Sequence, residues 1–293
     1  MQQIGVFISL LLLTLSTLAD SLPTVASTNL CADLLLLQIA DPAQIISVSR
    51  ASHNPQLSPL AATAARYPTN RGSVEEMLAL KPNIALVYSG WTGRRHAELL
   101  ANQGIEVIAL PYPKHWDDAL NAARQLAARL GRGAETEAKI AAIAQRMEAL
   151  AIAARPAYNV LYLRPNGGTA GAKTYVDDVL QRLHLRNAAA RRSGWSRFPL
   201  EQLVQTPPDV LLLGYFEQNQ SLTAAAYGRH PLFQTLLARL PTLRVPGNAW
   251  GCGGLELVDA AEQIAAQIDR LAPIETDNSP PSPYHAPLLF THN

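Results

Sequence analysis

Side chains suited to holding a ligand follow directly after several candidate strands of this sequence. Aromatic rings offer flat apolar contact area, guanidinium groups form charge-assisted hydrogen bonds, and an imidazole can bind a metal centre. Because ligands of open parallel sheets bind outside the carboxyl ends of the strands, we expect these residues to line one cleft. The candidate ligand-binding residues are Asn29, Cys31, Arg50, His53, Arg71, Tyr88, Trp91, Tyr112, Arg164, Trp195, Tyr215 and Trp250.

The aromatic residues indicate the size and character of the ligand. They make up only 6% of the chain, yet all four tryptophans fall in predicted loops or their continuations. A cleft lined by rings and a few polar groups suits a bulky, partly apolar ligand. We expect Trp91 and Trp250 to contribute ligand contact more than core packing. Arg50, Arg71 and Arg164 would then bind the carboxylates of an anionic ligand.

The two cysteines leave several states open. Cys31 lies at the start of a candidate helix that runs to residue 39 and has Thr28 or Asn29 as its N-cap. Cys252 lies in the flexible turn AWGCGG. Both can face the cleft from opposite sides, where a disulfide would pin the cleft shut and oppose ligand release. We therefore favour free or buried thiols first, contact with a soft metal or cofactor second, and a disulfide last.

Composition excludes several classes of protein. A chain of 293 residues with 48% hydrophobic residues is long enough for two domains with their own cores. A formal net charge of +1 argues against a nucleic-acid partner, which would require a basic face. The sequence has no HExxH, no CxxC and no tight histidine cluster, so we expect neither a resident metal nor a cofactor.

Strand and helix signals alternate along the chain, which predicts an α/β fold with mostly parallel sheets. The strands are near-continuous apolar runs, as expected when both faces of a sheet are covered. Candidate strands span 45–49, 83–88, 107–112, 159–164, 209–214 and 242–246. Candidate helices include 32–39, 74–80 and 255–271.

One long helix divides the chain into two lobes. Residues 132–155 are rich in strong helix formers and would span roughly 30 Å. We predict an N-terminal lobe over 20–131, a linking helix over 132–155 and a C-terminal lobe over 156–273. Residues 1–19 resemble a cleavable signal peptide, and 274–293 form a Pro- and Ser-rich tail that we expect to be mobile.

The two lobes carry a matching segment. GSVEEMLALKPNIALVY in the first half aligns with FPLEQLVQTPPDVLLLG in the second. Each segment predicts a short helix that stops at a proline, followed by a buried strand. Glu75 and Glu201 occupy equivalent positions before Pro82 and Pro208. Such a pair suits docking to a symmetric two-subunit partner.

These segments, the opening VASTNLCADLLL, the long helix and the closing VPGNAWGCGGLELVDAAEQI together resemble the helical-backbone class of periplasmic substrate-binding proteins. That class serves ABC importers of vitamin B12, haem and iron–siderophore complexes. The resemblance implies two α/β lobes joined by one helix, with a metal chelate or corrinoid held between them. It also implies a monomer in the periplasm without enzymatic activity, whose Glu75 and Glu201 meet arginines of the permease dimer.

Two alternatives stay open. A carrier of a bare ion such as zinc or manganese would need about four His or carboxylate ligands at the strand ends, where only His53 and His115 fall. An exported hydrolase would use Cys31 as nucleophile and His53 as base. The choice among cobalamin, haem and siderophore is not made by the sequence.

Overall fold

The computed structural model describes residues 22–88, 94–216 and 226–271. Within these ranges, no helix combines the length and apolar character needed to cross a membrane. The predicted signal peptide over 1–19, the tail over 274–293 and Trp91 lie outside the described residues.

The N-lobe contains a five-stranded parallel sheet in the order β3-β2-β1-β4-β5. Its strands are β1 (Val25–Ser27), β2 (Ile45–Ser49), β3 (Thr69–Asn70), β4 (Ile84–Tyr88) and β5 (Glu106–Leu110). Its helices are α1 (Leu30–Ile39), α2 (Ala61–Ala64), α3 (Val74–Leu80), α4 (Arg94–Ala101) and α5 (Trp116–Arg129), with 3-10 turns at Pro42–Gln44 and Arg50–His53. Asn29 is the N-cap of α1, as predicted, and accepts a hydrogen bond from the Ala32 backbone N–H.

The C-lobe contains a four-stranded parallel sheet in the order β11-β10-β6-β8 and a separate antiparallel pair, β7-β9. Its strands are β6 (Asn159–Leu163), β7 (Gly168–Ala170), β8 (Arg186–Asn187), β9 (Trp195–Arg197), β10 (Val210–Gly214) and β11 (Thr242–Val245). Its helices are α7 (Tyr175–Arg182), α8 (Leu200–Gln205), α9 (Pro231–Leu237), α10 (Gly247–Trp250) and α11 (Leu257–Ile268). The predicted class, α/β with mostly parallel sheets, is confirmed.

The long helix is α6, Gly133–Ile152, and it packs on both lobes. Near its start, Glu137 pairs with Arg124 of α5 at 3.0 Å. Nearer its end, Arg146 pairs with Asp259 and Glu262 of α11 at 2.6 and 2.7 Å. Exposed pairs of this kind are each worth about 0.2–1 kcal/mol, so they orient the helix more than they stabilise it.

One large apolar core runs through both lobes, and each lobe also has a smaller core of its own. The large core includes Leu36 of α1, Val160 of β6 and Ile264 of α11, together with Ile140 and Met147 from the inner face of α6. All five side chains are at most 1% exposed. Because the lobes share this core, they are packed against each other along α6 instead of being joined only by a linker.

The matching segments predicted from the sequence have the same local structure. Glu75 is exposed in the first turn of α3, and Glu201 is exposed in the first turn of α8. Each helix ends shortly before a proline, and a buried strand, β4 or β10, follows.

The shared core leads to a prediction about cooperativity. Although the chain has two sheets, we expect calorimetry to show one unfolding transition in which the calorimetric and van't Hoff enthalpies agree, because neither lobe can lose its side of the core alone. Two resolved transitions would contradict the shared core.

Candidate functional site

A row of tyrosine rings crosses the junction between the lobes at the carboxyl ends of the strands. Tyr88 ends β4 and packs edge-on against Tyr112, with ring centroids 5.8 Å apart. Tyr112 follows β5 and meets Tyr175 of the C-lobe at 5.9 Å. Tyr112 is 42% exposed, so part of this row faces solvent. The N-lobe and C-lobe therefore share one aromatic surface.

The row continues into the C-lobe through Trp195 on β9. Its ring lies 5.4 Å from Tyr175 and 6.2 Å from Tyr162 of β6. Trp195 is 37% exposed, whereas Tyr162 is fully buried behind it. We call Tyr88, Tyr112, Tyr175, Trp195 and Tyr162 the ring cluster. Its exposed members provide flat apolar area of the kind that binds bulky ligands.

Arg164 places a positive charge inside this aromatic surface. Its guanidinium carbon lies 4.7 Å from the ring centroid of Trp195 and 4.7 Å from that of Tyr215, so two rings flank the cation. Its Nε donates to the Tyr162 hydroxyl at 3.0 Å. Cation–π contacts stabilise such an arrangement by about 0.5–2 kcal/mol each. Among the ion pairs of the described residues, none involves Arg164.

Tyr215 is held in an unusual backbone conformation. Its φ is 68°, in the left-handed region that residues other than glycine rarely adopt. Gly247 makes room for it, because a Cβ at that position would lie 2.3 Å from the Tyr215 ring. Non-glycine residues with such strain cluster at functional sites, and here the strain directs the ring toward Arg164.

Burial keeps the inner hydroxyls of the cluster neutral. Removal from water raises the pKa of Tyr88, Tyr162 and Tyr175 above the usual value for tyrosine. The hydroxyls therefore act as hydrogen-bond donors or acceptors without charge. Tyr175 donates to the Trp250 carbonyl at 2.6 Å, and Tyr88 donates to the Cys252 carbonyl at 3.4 Å.

Cys31 and Cys252 form a disulfide, so the preference for free thiols is wrong. Their Cα atoms are 5.1 Å apart, within the range that a disulfide requires. Cys31 lies in the first turn of α1, and Cys252 lies in the turn between α10 and α11. The bond therefore joins the two lobes beside the ring cluster. This proximity could not be predicted from the sequence, because 221 residues separate the two cysteines.

Trp250 belongs to the core and not to an exposed loop. It ends α10, its ring has 0% exposure, and it lies 5.7 Å from the ring of Tyr162. The expectation that Trp250 contributes ligand contact more than core packing is therefore wrong. Its indole packs behind the ring cluster, where it supports Tyr162. Trp116 is likewise 1% exposed, at the start of α5.

The structure brings together only part of the predicted set. Tyr88, Tyr112, Arg164, Trp195 and Tyr215 meet in or beside the ring cluster. Four other predicted residues lie outside the ring cluster. They are Asn29, which caps α1, the exposed Arg50 and Arg71, and the half-buried His53. No hydrogen bond or ring contact between described residues joins these four to the cluster.

Sequence reasoning missed Tyr162 and Tyr175. Tyr162 is inside a predicted strand, but only strand ends were considered as binding positions. Tyr175 begins α7, whose start is signalled by Thr174 three residues before Asp177, a typical N-cap spacing. This N-cap signal would have predicted that Tyr175 is the first residue of a helix.

A buried carboxyl group lies beside the disulfide. Glu256 is 6% exposed, and its Oε1 accepts from the Gly254 backbone N–H at 3.0 Å, while Oε2 has no hydrogen-bond partner among the described residues. It lines a small cavity at the lobe junction together with Cys31, Tyr88 and Cys252. Burial raises the pKa of Glu256 to about 7.

In the described ranges, no three His, Cys, Asp or Glu side chains are grouped so that they could hold a metal ion. Cys31 is bonded to Cys252, which removes the thiolate that the hydrolase alternative needs.

Comparison with known families identifies the fold. A family model described as "Periplasmic binding protein" matches residues 25–238. The chain belongs to the periplasmic binding protein family. No curated protein sequence matches this one.

Solved periplasmic binding proteins share the fold at low sequence identity. The haem-binding protein HutB of Vibrio cholerae is 19% identical with a TM-score of 0.67, covering 83% of this chain and 98% of that one. The vitamin B12-binding protein BtuF of Vibrio cholerae is 16% identical with a TM-score of 0.63, covering 85% and 97%. A haem-binding protein from Pseudomonas aeruginosa is 20% identical with a TM-score of 0.66, covering 87% and 96%.

Close packing at Gly253 leads to a stability prediction for this periplasmic binding protein. Gly253 has a φ of 67°, and a Cβ there would lie 2.6 Å from Tyr175 and 2.8 Å from Pro113 of the other lobe. We expect Gly253→Ala to lower the free energy of unfolding by about 1–3 kcal/mol more than a control substitution does. In the control, the new residue has a strained positive φ but its Cβ meets no neighbouring atom. The control is Gly104→Ala, because Gly104 has a φ of 75° and no atom within 4 Å of the added Cβ. Equal losses in denaturant unfolding would show that the junction tolerates the extra carbon.

The buried carboxyl group of Glu256 leads to a pH prediction. Its pKa rises from 4.5 to about 7 on folding, so the folded state holds the proton more tightly. Stability should therefore fall as pH rises from about 4.5 to about 7, by about 3 kcal/mol in total. Asp33, whose pKa burial raises to about 6, adds a fall in the same direction.

Denaturant unfolding between pH 4 and pH 8 measures this slope. Glu256→Gln should remove most of the fall between pH 6 and pH 7, where the contribution of Asp33 is nearly complete. Glu148→Gln serves as the control, because Glu148 is exposed on α6. If the free energy of unfolding depends on pH equally in Glu256→Gln and Glu148→Gln, then burial does not raise the pKa of Glu256.

Proposed function

We propose that this protein is the substrate-binding component of an ABC importer, and that it holds a metal chelate or corrinoid in the cleft between its lobes. The observation that carries the proposal is Arg164, a cation flanked by Trp195 and Tyr215 at the edge of the ring cluster. Rings with one central cation suit a large, partly apolar ligand that carries negative charge.

The charge of Arg164 favours an anionic cargo. Its Nε is already bonded to Tyr162, and no acidic side chain among the described residues pairs with its guanidinium. A carboxylate, catecholate or hydroxamate oxygen of the cargo can accept from the remaining N–H groups in a bidentate geometry. The flanking rings restrict the orientation of the planar guanidinium, so less side-chain entropy is lost on binding.

The names of structural relatives agree with this cargo class. HutB and the Pseudomonas aeruginosa protein are haem-binding, BtuF binds vitamin B12, and a Staphylococcus epidermidis relative is described as possibly iron-binding. At identities of 15–20% these names support the class of cargo and not one member of it. We place the protein in the periplasm on the same basis, with the resemblance of residues 1–19 to a signal peptide in support.

Delivery to the permease is assigned to Glu75 and Glu201. Each is exposed in the first turn of a short helix, at matching positions in the two lobes. Hydrogen bonds from its own backbone N–H and from the Ser73 hydroxyl lower the pKa of Glu75, so this carboxylate stays ionised. Two carboxylates on equivalent elements suit two equivalent basic sites on a permease dimer.

A cargo titration tests the binding role. We expect Trp fluorescence to report tight binding of haemin, cyanocobalamin, a ferric tris-catecholate or a ferric tris-hydroxamate. Arg164→Gln should weaken binding of an anionic chelate about 10- to 100-fold, because charge-assisted bonds are lost, and should affect the uncharged cyanocobalamin less. Arg186→Gln is the matched control, since Arg186 is exposed in the same lobe. The proposal fails if none of the four compounds binds the unmodified protein.

Charge reversal tests the docking role. The double variant Glu75→Arg/Glu201→Arg should bind cargo within about 0.5 kcal/mol of the unmodified protein, as is usual for surface changes. Cargo-dependent stimulation of the permease ATPase should fall sharply, because like charges would meet at the interface. Glu98→Arg/Glu148→Arg controls for net charge with two other exposed glutamates. Normal stimulation by the first double variant would contradict the assignment.

A further inference from the structure

The Cys31–Cys252 disulfide joins the lobes at the cleft edge, on the side where the aromatic residues lie. Cys31 starts α1 of the N-lobe, and Cys252 follows α10 of the C-lobe. The Cys252 carbonyl accepts from Tyr88, and two residues earlier the Trp250 carbonyl accepts from Tyr175. The disulfide therefore lies beside the backbone carbonyls that hold Tyr88 of the N-lobe and Tyr175 of the C-lobe.

The other contacts across this edge are weaker. Tyr88 reaches the Cys252 carbonyl at 3.4 Å, the Tyr112 and Tyr175 hydroxyls are 3.5 Å apart, and Asn248 donates to the Pro55 carbonyl at 3.2 Å. The first two distances exceed the usual hydrogen-bond range and the third lies at its upper end, so these contacts hold a geometry poorly. The disulfide is the covalent connection among them, and it therefore holds this edge most firmly.

Other contacts join the lobes independently of the disulfide. Helix α6 packs on both lobes, and the Trp116 backbone N–H at the start of α5 donates to Asp178 of α7 at 2.8 Å. The shared core also spans both lobes. Loss of the disulfide would leave these contacts in place and would leave the Cys31 and Cys252 segments held to each other only by hydrogen bonds.

We propose that the Cys31–Cys252 disulfide is a positioning element of the cargo site, which holds the N-lobe rings Tyr88 and Tyr112 at binding distance from Trp195, Tyr215 and Arg164. This inference rests on the proposed function. Cargo retention then depends on the oxidation state of the two cysteines: the oxidised protein has a preformed cleft, and the reduced protein has a wider one with weaker retention.

The redox step is an ordinary thiol–disulfide exchange. A dithiol reagent such as dithiothreitol attacks through a thiolate, forms a mixed disulfide with one cysteine and releases the other. Its second thiol then closes a cyclic disulfide, so the reagent is oxidised and Cys31 and Cys252 become thiols. Cys31 is half-buried whereas Cys252 is buried, so we expect the reagent to attack at Cys31.

A cargo-free measurement examines the geometry. Amide hydrogen exchange is followed by mass spectrometry in the oxidised and the reduced protein. We expect at least 10-fold faster exchange after reduction in segment 247–256, with β6, β10 and α6 unchanged. A uniform increase over both lobes would show that the bond only stabilises the fold, and no change would show that it positions nothing; either result overturns the proposal.

A cargo measurement examines the consequence. Dissociation of haemin, cyanocobalamin and a ferric tris-hydroxamate is followed from the oxidised and the reduced protein at a temperature where both are folded. For each compound that binds, we expect at least 10-fold faster dissociation after reduction and an association rate changed less than threefold. Equal dissociation rates overturn the proposal. If no compound binds the oxidised protein, the proposed function fails, while the exchange pattern still decides whether the bond holds the cleft edge.

Two controls distinguish loss of the covalent connection from other effects of the reductant. The variant Cys31→Ser/Cys252→Ser should behave as the reduced protein does, with and without reductant. Reduced protein whose two sulfurs are rejoined through one methylene group should regain slow dissociation and should keep it in reductant. If that rejoined protein still releases cargo rapidly, the covalent connection is not what holds the cleft, and the proposal is wrong.

Discussion

The turn from Trp250 to Gly253 connects the two lobes, and the geometry of the cleft depends on it. Cys252 is bonded to Cys31, its carbonyl accepts from Tyr88, and Gly253 fits against Pro113 of the N-lobe. Within the C-lobe, the Trp250 carbonyl accepts from Tyr175 and anchors the turn. A side chain at Gly253 would push the lobes apart. The turn therefore fixes how closely the aromatic walls approach each other.

The site that results combines a rigid aromatic surface with the cation of Arg164, which pairs with no acidic side chain among the described residues. Buried tyrosines support the exposed rings from behind, and Trp195 and Tyr215 hold Arg164 between them. Affinity for a bulky ligand rises when the binding groups are ordered before the ligand arrives, because less entropy is lost on association. The arrangement suits the binding of a large, partly apolar ligand.

The sequence predicted the elements better than it predicted the site. The six apolar runs became strands, because parallel strands covered on both faces are continuously apolar. Strands β3 and β8 have two residues each, and β7 and β9 have three, too few for a periodic signal. The equivalence of Glu75 and Glu201 could be predicted from the sequence, because each precedes a proline by the same number of residues.

Side-chain contacts between segments far apart in the chain could not be predicted from sequence patterns. Cys31 and Cys252 are 221 residues apart, and pattern alone gives no distance between them. The disulfide was disfavoured because it would pin the cleft shut and oppose cargo release, yet α6 and the shared core already hold the two lobes together. Trp250 was misjudged for a related reason, since a tryptophan near a glycine-rich turn can equally well pack inward.

The proposed function requires cargo to bind against Arg164 between the two lobes. A crystal structure of the oxidised protein with its tightest-binding chelate would locate the cargo. We predict that an anionic oxygen of the chelate lies within hydrogen-bond distance of the Arg164 guanidinium and that its apolar part rests on Trp195 and Tyr112. A chelate bound elsewhere on the surface, without contact to Arg164, would show that the proposed site is wrong.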